Sequence, residues 1–250
     1  MPPQAIPRPV GPVAFVGDSH LVAGDETTRA LARFIEGAPG RIARLVLVGD
    51  IFDLWLARPH LHEDQHRRIL ASIREASARG LHVDYVVGNR DFGVESLHES
   101  PFSRIASEIL TDPAPTPAWV AEHGDLVNED DVQYRRWRAF SRSRPILGSF
   151  LALPGTIGVP LSQWLERRMR TTNLDYKRRF PESHALRHAE RVLAASGTRW
   201  LVLGHFHVEL RLPCLQGEII VLPDWKRARR HALFEPDAGG RMSLVDSRWD

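Results

Sequence analysis

A single cysteine, Cys214, leaves nothing for an intrachain disulfide, so the fold must rest on its own core and suits a reducing compartment. No charge of one sign dominates: the formal net charge is +2 over 250 residues, too small an excess to name a partner. Neither a G-x-x-x-x-G-K-[ST] loop nor a G-x-S-x-G elbow occurs, which removes P-loop and nucleophile-elbow chemistry. The opening MPPQAIPRPVGP lacks a charged region followed by an apolar run; it reads as a loose Pro-rich lead-in, and a cytoplasmic location is expected. The longest uncharged stretch runs from Pro145 to Leu165, between Arg144 and Glu166. Its length would permit a membrane span, but Pro145, Pro154 and Pro160 with Gly148, Gly155 and Gly158 break any continuous apolar helix, and a span is rejected. No internal repeat is visible.

What is present is the composition of one large globular domain, 43% hydrophobic and 26% charged. The charge is unevenly spread. Residues 126–180 carry a net +6 and the remainder −4, a basic section on a mildly acidic body. The N-terminal half reads as strand, loop and helix repeated: VAFV (13–16), a helix over about 26–36, LVLV (45–48), a long helix over about 63–79, and VDYVV (83–87). Short β-branched runs alternating with helical periods predict an α/β architecture with buried strands. Beyond Gly204, VELRL (208–212), EIIVL (218–222), HALFE (231–235) and MSLVD (242–246) predict a run of strands from a second sheet. Between the halves, 128–142 and 161–170 have helical spacing, and about 127–182 is expected to be a helical insert over the mouth of a single domain.

Five short motifs occur in order: GDSH (17–20), GDIFD (49–53), GNRD (88–91), HGD (123–125) and GHFH (204–207). Four follow directly on a predicted strand, where open α/β sheets carry their chemistry. They would bring Asp18, His20, Asp50, Asn89, His123, His205 and His207 to one edge. In an extended loop, residues two apart face one side, so Asp18 with His20, and His205 with His207, would each supply a pair of groups. Seven nitrogen and oxygen donors without thiolate suit two divalent ions such as Mn²⁺, Fe²⁺ or Zn²⁺. Asp50 is expected to bridge, with Asp18, His20 and His207 on one ion and Asn89, His123 and His205 on the other. Such a pair lowers the pKa of a water and neutralises phosphate oxygens in an in-line displacement. A lone D-x-H or GD is weak; the joint occurrence of all five motifs carries the reading. The cluster His60, His62 and His66 is expected to begin a solvated helix face, and Cys214 to be inert.

These motifs resemble the calcineurin-like metallophosphoesterase family, whose pattern is D-x-H, G-D-x-x-D, G-N-[HR]-[DE], a later His, and G-H-x-H. The resemblance implies a four-layer αββα sandwich and a binuclear phosphohydrolase. Within that family the GNRDF run (88–92) and the segments 124–142, 150–154 and 166–170 are similar to the UDP-2,3-diacylglucosamine pyrophosphatases of lipid A synthesis. Those enzymes cleave a nucleotide-linked glycolipid to UMP and a diacylglucosamine 1-phosphate, usually with Mn²⁺. GHFHVE (204–209) departs from that group's usual Thr at the third place. Arg90 stands where many relatives place a histidine that protonates the leaving group. A phosphate leaving group needs little protonation, so a fixed cation suffices there. The resemblance implies catalytic roles for Asn89, Arg90 and His123. Arg90, Tyr134, Arg170, Asn173 and Lys177 are the candidates for contacts to the substrate head group. An insert both basic and apolar suits such a ligand and a peripheral contact with an anionic membrane face. Other readings are a phosphoesterase for a dinucleotide, cyclic nucleotide or phosphomonoester, and an inactive scaffold, against which stands the complete donor set. Nucleic acid is not expected: RRWR (135–138) and KRARR (226–230) lack any recognisable binding module.

Overall fold

The structure is a computed structural model and describes residues 11–97, 99–114, 117–172, 180–238 and 240–249. The alternation expected in the first half is found: β1 (Val13–Val16), α1 (Glu26–Gly37), β2 (Arg44–Val48), a short β3 (Trp55–Leu56), α2 (Asp64–Ala78), β4 (His82–Val86) and a short β5 (Asp91–Phe92). Three strands follow that the sequence reading does not contain, β6 (Arg104–Ala106), β7 (Ile109–Thr111) and β8 (Trp119–Glu122). Each is three or four residues long, too short to carry a period. Helices α3 (Val132–Ser141), α4 (Arg144–Leu151), α5 (Gly155–Thr172) and α6 (Glu182–Ser196) precede β9 (Trp200–Leu203), β10 (Leu210–Cys214), β11 (Gly217–Val221), a single turn α7 (Trp225–Ala228), β12 (Arg230–Glu235) and β13 (Arg241–Asp246).

Two sheets result, one ordered β13-β12-β1-β2-β4-β6 and one β10-β11-β9-β8-β7, with β3 pairing β5 beside them. The strand sequences explain the layering. In β1, Val13 and Phe15 turn to a core shared with Trp119, Trp200, Val202 and Ile220 of the other sheet. Ala14 and Val16 turn outward to Leu31 and Ile35 of α1 and Ile69 and Ile73 of α2. The second sheet repeats the arrangement, with Leu201, Leu203, Ile219 and Val221 covered by Ala185, Ala189 and Leu193 of α6. Buried on both faces, these strands read as continuous apolar runs. The layers are therefore helix, sheet, sheet, helix.

One expectation is corrected. Strands β12 and β13 do not belong to the second sheet: β12 pairs antiparallel with β1, Val13 opposite Phe234 and Phe15 opposite Ala232. Ala232 and Phe234 thereby enter the core between the sheets. A second correction concerns His62 and His66. Neither begins a solvated face: His66 is buried, takes the Glu63 N–H on Nδ1 at 3.0 Å and bonds the Leu54 carbonyl through Nε2 at 3.2 Å. His62 accepts from Trp55 Nε1 at 3.3 Å. Burial, followed by neighbouring positive groups, holds the pKa of His62 down to about 4 and that of His66 to about 3.

Helices α3 to α5 lie over the exit of the strands. None of α3 is buried, whereas Leu151 at the end of α4 seats among Leu56, Leu61 and Phe92. Between α4 and α5 the chain bends by 117°, and among the described residues no single helix is long and apolar enough to cross a membrane. Close approach sets the elbow. A Cβ on Gly155 would meet the His60 carbonyl oxygen at 2.7 Å, and His60 Nε2 bonds Leu153 O at 3.0 Å.

Candidate metal centre

All five motifs begin at or just after a strand end, of β1, β2, β4, β8 and β9 in turn, so the two sheets deliver them to one edge of the sandwich. The loops are not extended, as the spacing argument assumed. Asp18, His20, Asp50, His205 and His207 all have positive φ, between 42° and 70°. Left-handed backbone at non-glycine residues costs about 1–3 kcal/mol each and persists only where the surroundings impose it. Here the imposing contacts are visible. Asp18 Oδ2 accepts the His205 N–H at 2.7 Å, and Asp50 Oδ1 accepts the Arg90 N–H at 2.9 Å. Glycine is required where the second and third loops meet: a Cβ on Gly49 would lie 2.6 Å from both Gly88 Cα and His123 Nδ1.

Two groups of donors form. Asp18, His20 and His207 converge, with His20 Nε2 and His207 Nε2 only 3.1 Å apart and their rings stacked. Asp18 also converges with Asp50 and His123, so the two groups share Asp18. Asn89 Oδ1 joins the second group, 3.0 Å from His123 Nε2 and 2.9 Å from His205 Nδ1. The seven expected donors thus meet.

Outer partners set how the rings are held. The Val48 carbonyl at 2.9 Å takes the proton of His123 Nδ1, leaving Nε2 to face Asn89 and Asp50. Carboxylates face the far nitrogens of the other pair, Asp53 at 3.5 Å from His20 Nδ1 and Asp224 at 3.6 Å from His207 Nδ1. Such outer carboxylates orient imidazole ligands. Asp91 ties three segments together, its Oδ2 accepting from Asp50 N, Gly88 N and Tyr85 Oη at 3.1, 2.7 and 2.9 Å. Burial raises the Asp91 pKa, and the neighbouring Asp50 charge adds to it. Burial likewise lowers that of His20. For His123 burial is outweighed by Asp50, Asp18 and Asp125, and its pKa is raised.

The residues fit divalent cations. Asp18 Oδ1 is buried without a hydrogen-bond partner, aimed at two imidazole nitrogens that themselves approach to 3.1 Å. An orphaned carboxylate oxygen in a dry site is costly unless a cation meets it. Donors of nitrogen and oxygen alone suit Mn²⁺, Fe²⁺ or Zn²⁺.

The remaining candidates fare differently. Arg90 is buried, its Nη1 bonding Asp53 Oδ1 at 2.7 Å and Asp53 O at 3.0 Å, with Nε 3.7 Å from Asp50. Its guanidinium is paired with these two carboxylates. Tyr134 donates a short hydrogen bond to Asp125, which also accepts from Arg138 Nε at 2.8 Å. Burial and the Asp125 charge push the Tyr134 pKa up, so it stays protonated and latches α3 to the fourth motif. Asn173 and Lys177 lie outside the described residues, as does the side chain of Arg170. Sequence reasoning missed Asp53, Asp224 and Asp91 as orienting groups. The first and last stand inside the motifs, but Asp224 follows β11, outside every motif.

No family model matches the chain. A UDP-2,3-diacylglucosamine hydrolase of Nitrosococcus oceani is 29% identical over 248 residues, covering 94% of each chain. Over nearly its whole length the chain is similar to a hydrolase of that name. The hydrolase of the same name from Ralstonia nicotianae is 33% identical over 159 residues, which span 60% of this chain and 58% of that one. Among solved structures, GAP50 of the Plasmodium inner membrane complex superposes with a TM-score of 0.55 at 10% identity, over 95% of this chain and 84% of the other. That likeness concerns the fold alone. The two-sheet sandwich accounts for the position of the donors, since each motif occupies the carboxyl end of a core strand.

Proposed function

We propose that the protein hydrolyses the pyrophosphate of UDP-2,3-diacylglucosamine, releasing UMP and 2,3-diacylglucosamine 1-phosphate. The observation that carries this reading is the convergence of Asp18, His20, Asp50, Asn89, His123, His205 and His207 beneath a basic, partly apolar cap in a relative of hydrolases bearing that substrate's name. Asp18, His20 and His207 would hold one divalent ion, and Asn89, His123 and His205 a second, with Asp50 between. When bound, the ions supply a water acidic enough to attack at neutral pH and charge to offset the phosphate oxygens. Manganese is the ion we propose.

The chain's own groups do the holding. Val48 O, Asp53 and Asp224 orient the imidazoles of His123, His20 and His207. Arg90 locks the second loop to the third. Exposed Trp137, Phe140, Ile146, Ile157 and Trp164, with exposed Arg135 and Arg136 just before Trp137, support an acyl-bearing substrate and a peripheral stance on the anionic cytoplasmic face of a membrane.

The test is a panel with Mn²⁺ comparing UDP-2,3-diacylglucosamine, a dinucleoside polyphosphate, a phosphomonoester and a chromogenic diester. The glycolipid should lead by at least an order of magnitude in kcat/KM. A lead of that size for any soluble substrate would displace this reading.

A further inference from the structure

Arg142 closes α3, its backbone N–H returning to the Arg138 and Phe140 carbonyls. Its side chain leaves the cap and descends to the third motif. Nη2 donates to the Gly88 carbonyl at 2.5 Å, and Cζ sits 5.3 Å from the centre of the Phe92 ring. Gly88 directly precedes Asn89, so the guanidinium stands about one residue's span from the donor that binds together His123 and His205.

Its charge is in a different situation from that of its neighbours. Arg90 is matched by Asp53 and Asp50, and Arg138 by Asp125. Among the described residues no carboxylate lies within ion-pair distance of Arg142. A carbonyl and an aromatic face hold it in a fixed attitude, and no carboxylate among the described residues compensates its positive charge. A guanidinium carries five N–H donors in a rigid plane. One is used on Gly88, and among the described residues the others remain as a fork suited to phosphate oxygens. Half-buried at the rim, such a cation gains most from an anion that arrives with the ligand.

We propose that Arg142 is a substrate-binding residue that takes the second, non-reacting phosphate of a pyrophosphate ligand, and so sets preference for diphosphate over monophosphate compounds. This rests on the phosphohydrolase reading above and deepens it. It moves the rim cation from Arg90, which is buried in ion pairs, to the cap. Binding then requires α3 to be docked, because the group that meets the second phosphate belongs to α3.

The experiment measures binding of inorganic pyrophosphate and of orthophosphate by calorimetry, on Mn²⁺-loaded wild type, Arg142→Ala and Arg142→Gln. Glutamine keeps an N–H donor for Gly88 O and drops the charge. Both variants should bind pyrophosphate at least tenfold more weakly and orthophosphate within about twofold of wild type, with unchanged metal content. Equal weakening of both anions in both variants, or wild-type pyrophosphate affinity in Arg142→Gln, overturns the proposal and leaves Arg142 a loop tether. Loss of the substrate reading would register separately, as wild type that binds pyrophosphate tightly yet does not turn over the glycolipid.

Discussion

Asp53 is one carboxylate with two duties, facing His20 Nδ1 at 3.5 Å and bonding Arg90 Nη1 at 2.7 Å. Replacing it by asparagine keeps the shape and removes the charge that fixes the His20 ring. Manganese affinity of Asp53→Asn should fall roughly 10–100-fold, the scale of losses when an outer partner of a ligand histidine is changed. A metal titration giving wild-type affinity would leave Asp53 with no orienting part. Arg90 gives the opposite case. Removing a buried cation from Asp53 and Asp50 strands their charge, and Arg90→Ala in the metal-free protein should lose about 3 kcal/mol of stability. Urea denaturation reads this directly, and a change below about 1 kcal/mol would show that the Arg90 ion pairs do not hold the loops together.

At the scale of elements the cap is attached unevenly. Helix α3 is held by polar latches, Tyr134 and Arg138 on Asp125 and Arg142 on Gly88, with no buried residue of its own. The elbow between α4 and α5 is held by close packing, with Leu151 among Leu56 and Leu61 and Gly155 against the His60 carbonyl. Gln163 adds a hydrogen bond to Glu63 at 2.6 Å. A side chain on Gly155 must push the elbow off the body, since backbone carbonyl oxygen cannot give way. Gly155→Val should therefore raise KM several-fold and expose 144–172 to limited proteolysis, while the melting temperature of the sandwich moves little. Unaltered KM together with unaltered proteolysis would mean that the elbow's seat has no bearing on ligand binding.

Across the whole molecule, buried neutral histidines make stability depend on pH. Burial is the main cause that holds the His231 pKa down to about 4, only partly offset by Asp246, and its Nδ1 is bonded to Ser247 Oγ at 3.0 Å. His66 and His62 are depressed in the same sense, to about 3 and about 4. A histidine with a lowered folded pKa binds its proton more readily in the unfolded chain. Its contribution is intact above about pH 6.5 and is lost as pH falls from there toward 4. For His231 alone the loss is on the order of 3 kcal/mol. Denaturation midpoints measured from pH 7 to pH 4 should drop steadily, and less steeply in His231→Gln. Identical slopes for the two proteins would show that His231 protonates freely in the folded state.

By itself the amino-acid sequence determined the chemistry and its order along the chain. GDSH, GDIFD, GNRD, HGD and GHFH identify the donors, and VAFV, LVLV and VDYVV identify the strands that carry three of the motifs, because both signals are local. Tertiary structure decided what local signals do not encode. It set which sheet HALFE and MSLVD join, since a strand's pattern is the same whichever neighbour it pairs with. It turned the ligand loops left-handed through contacts between distant loops, and it buried Arg90 while bringing Arg142 onto the Gly88 carbonyl. A charge written in sequence has a sign but no surroundings, and its surroundings determine whether it is matched within the protein or available to a ligand.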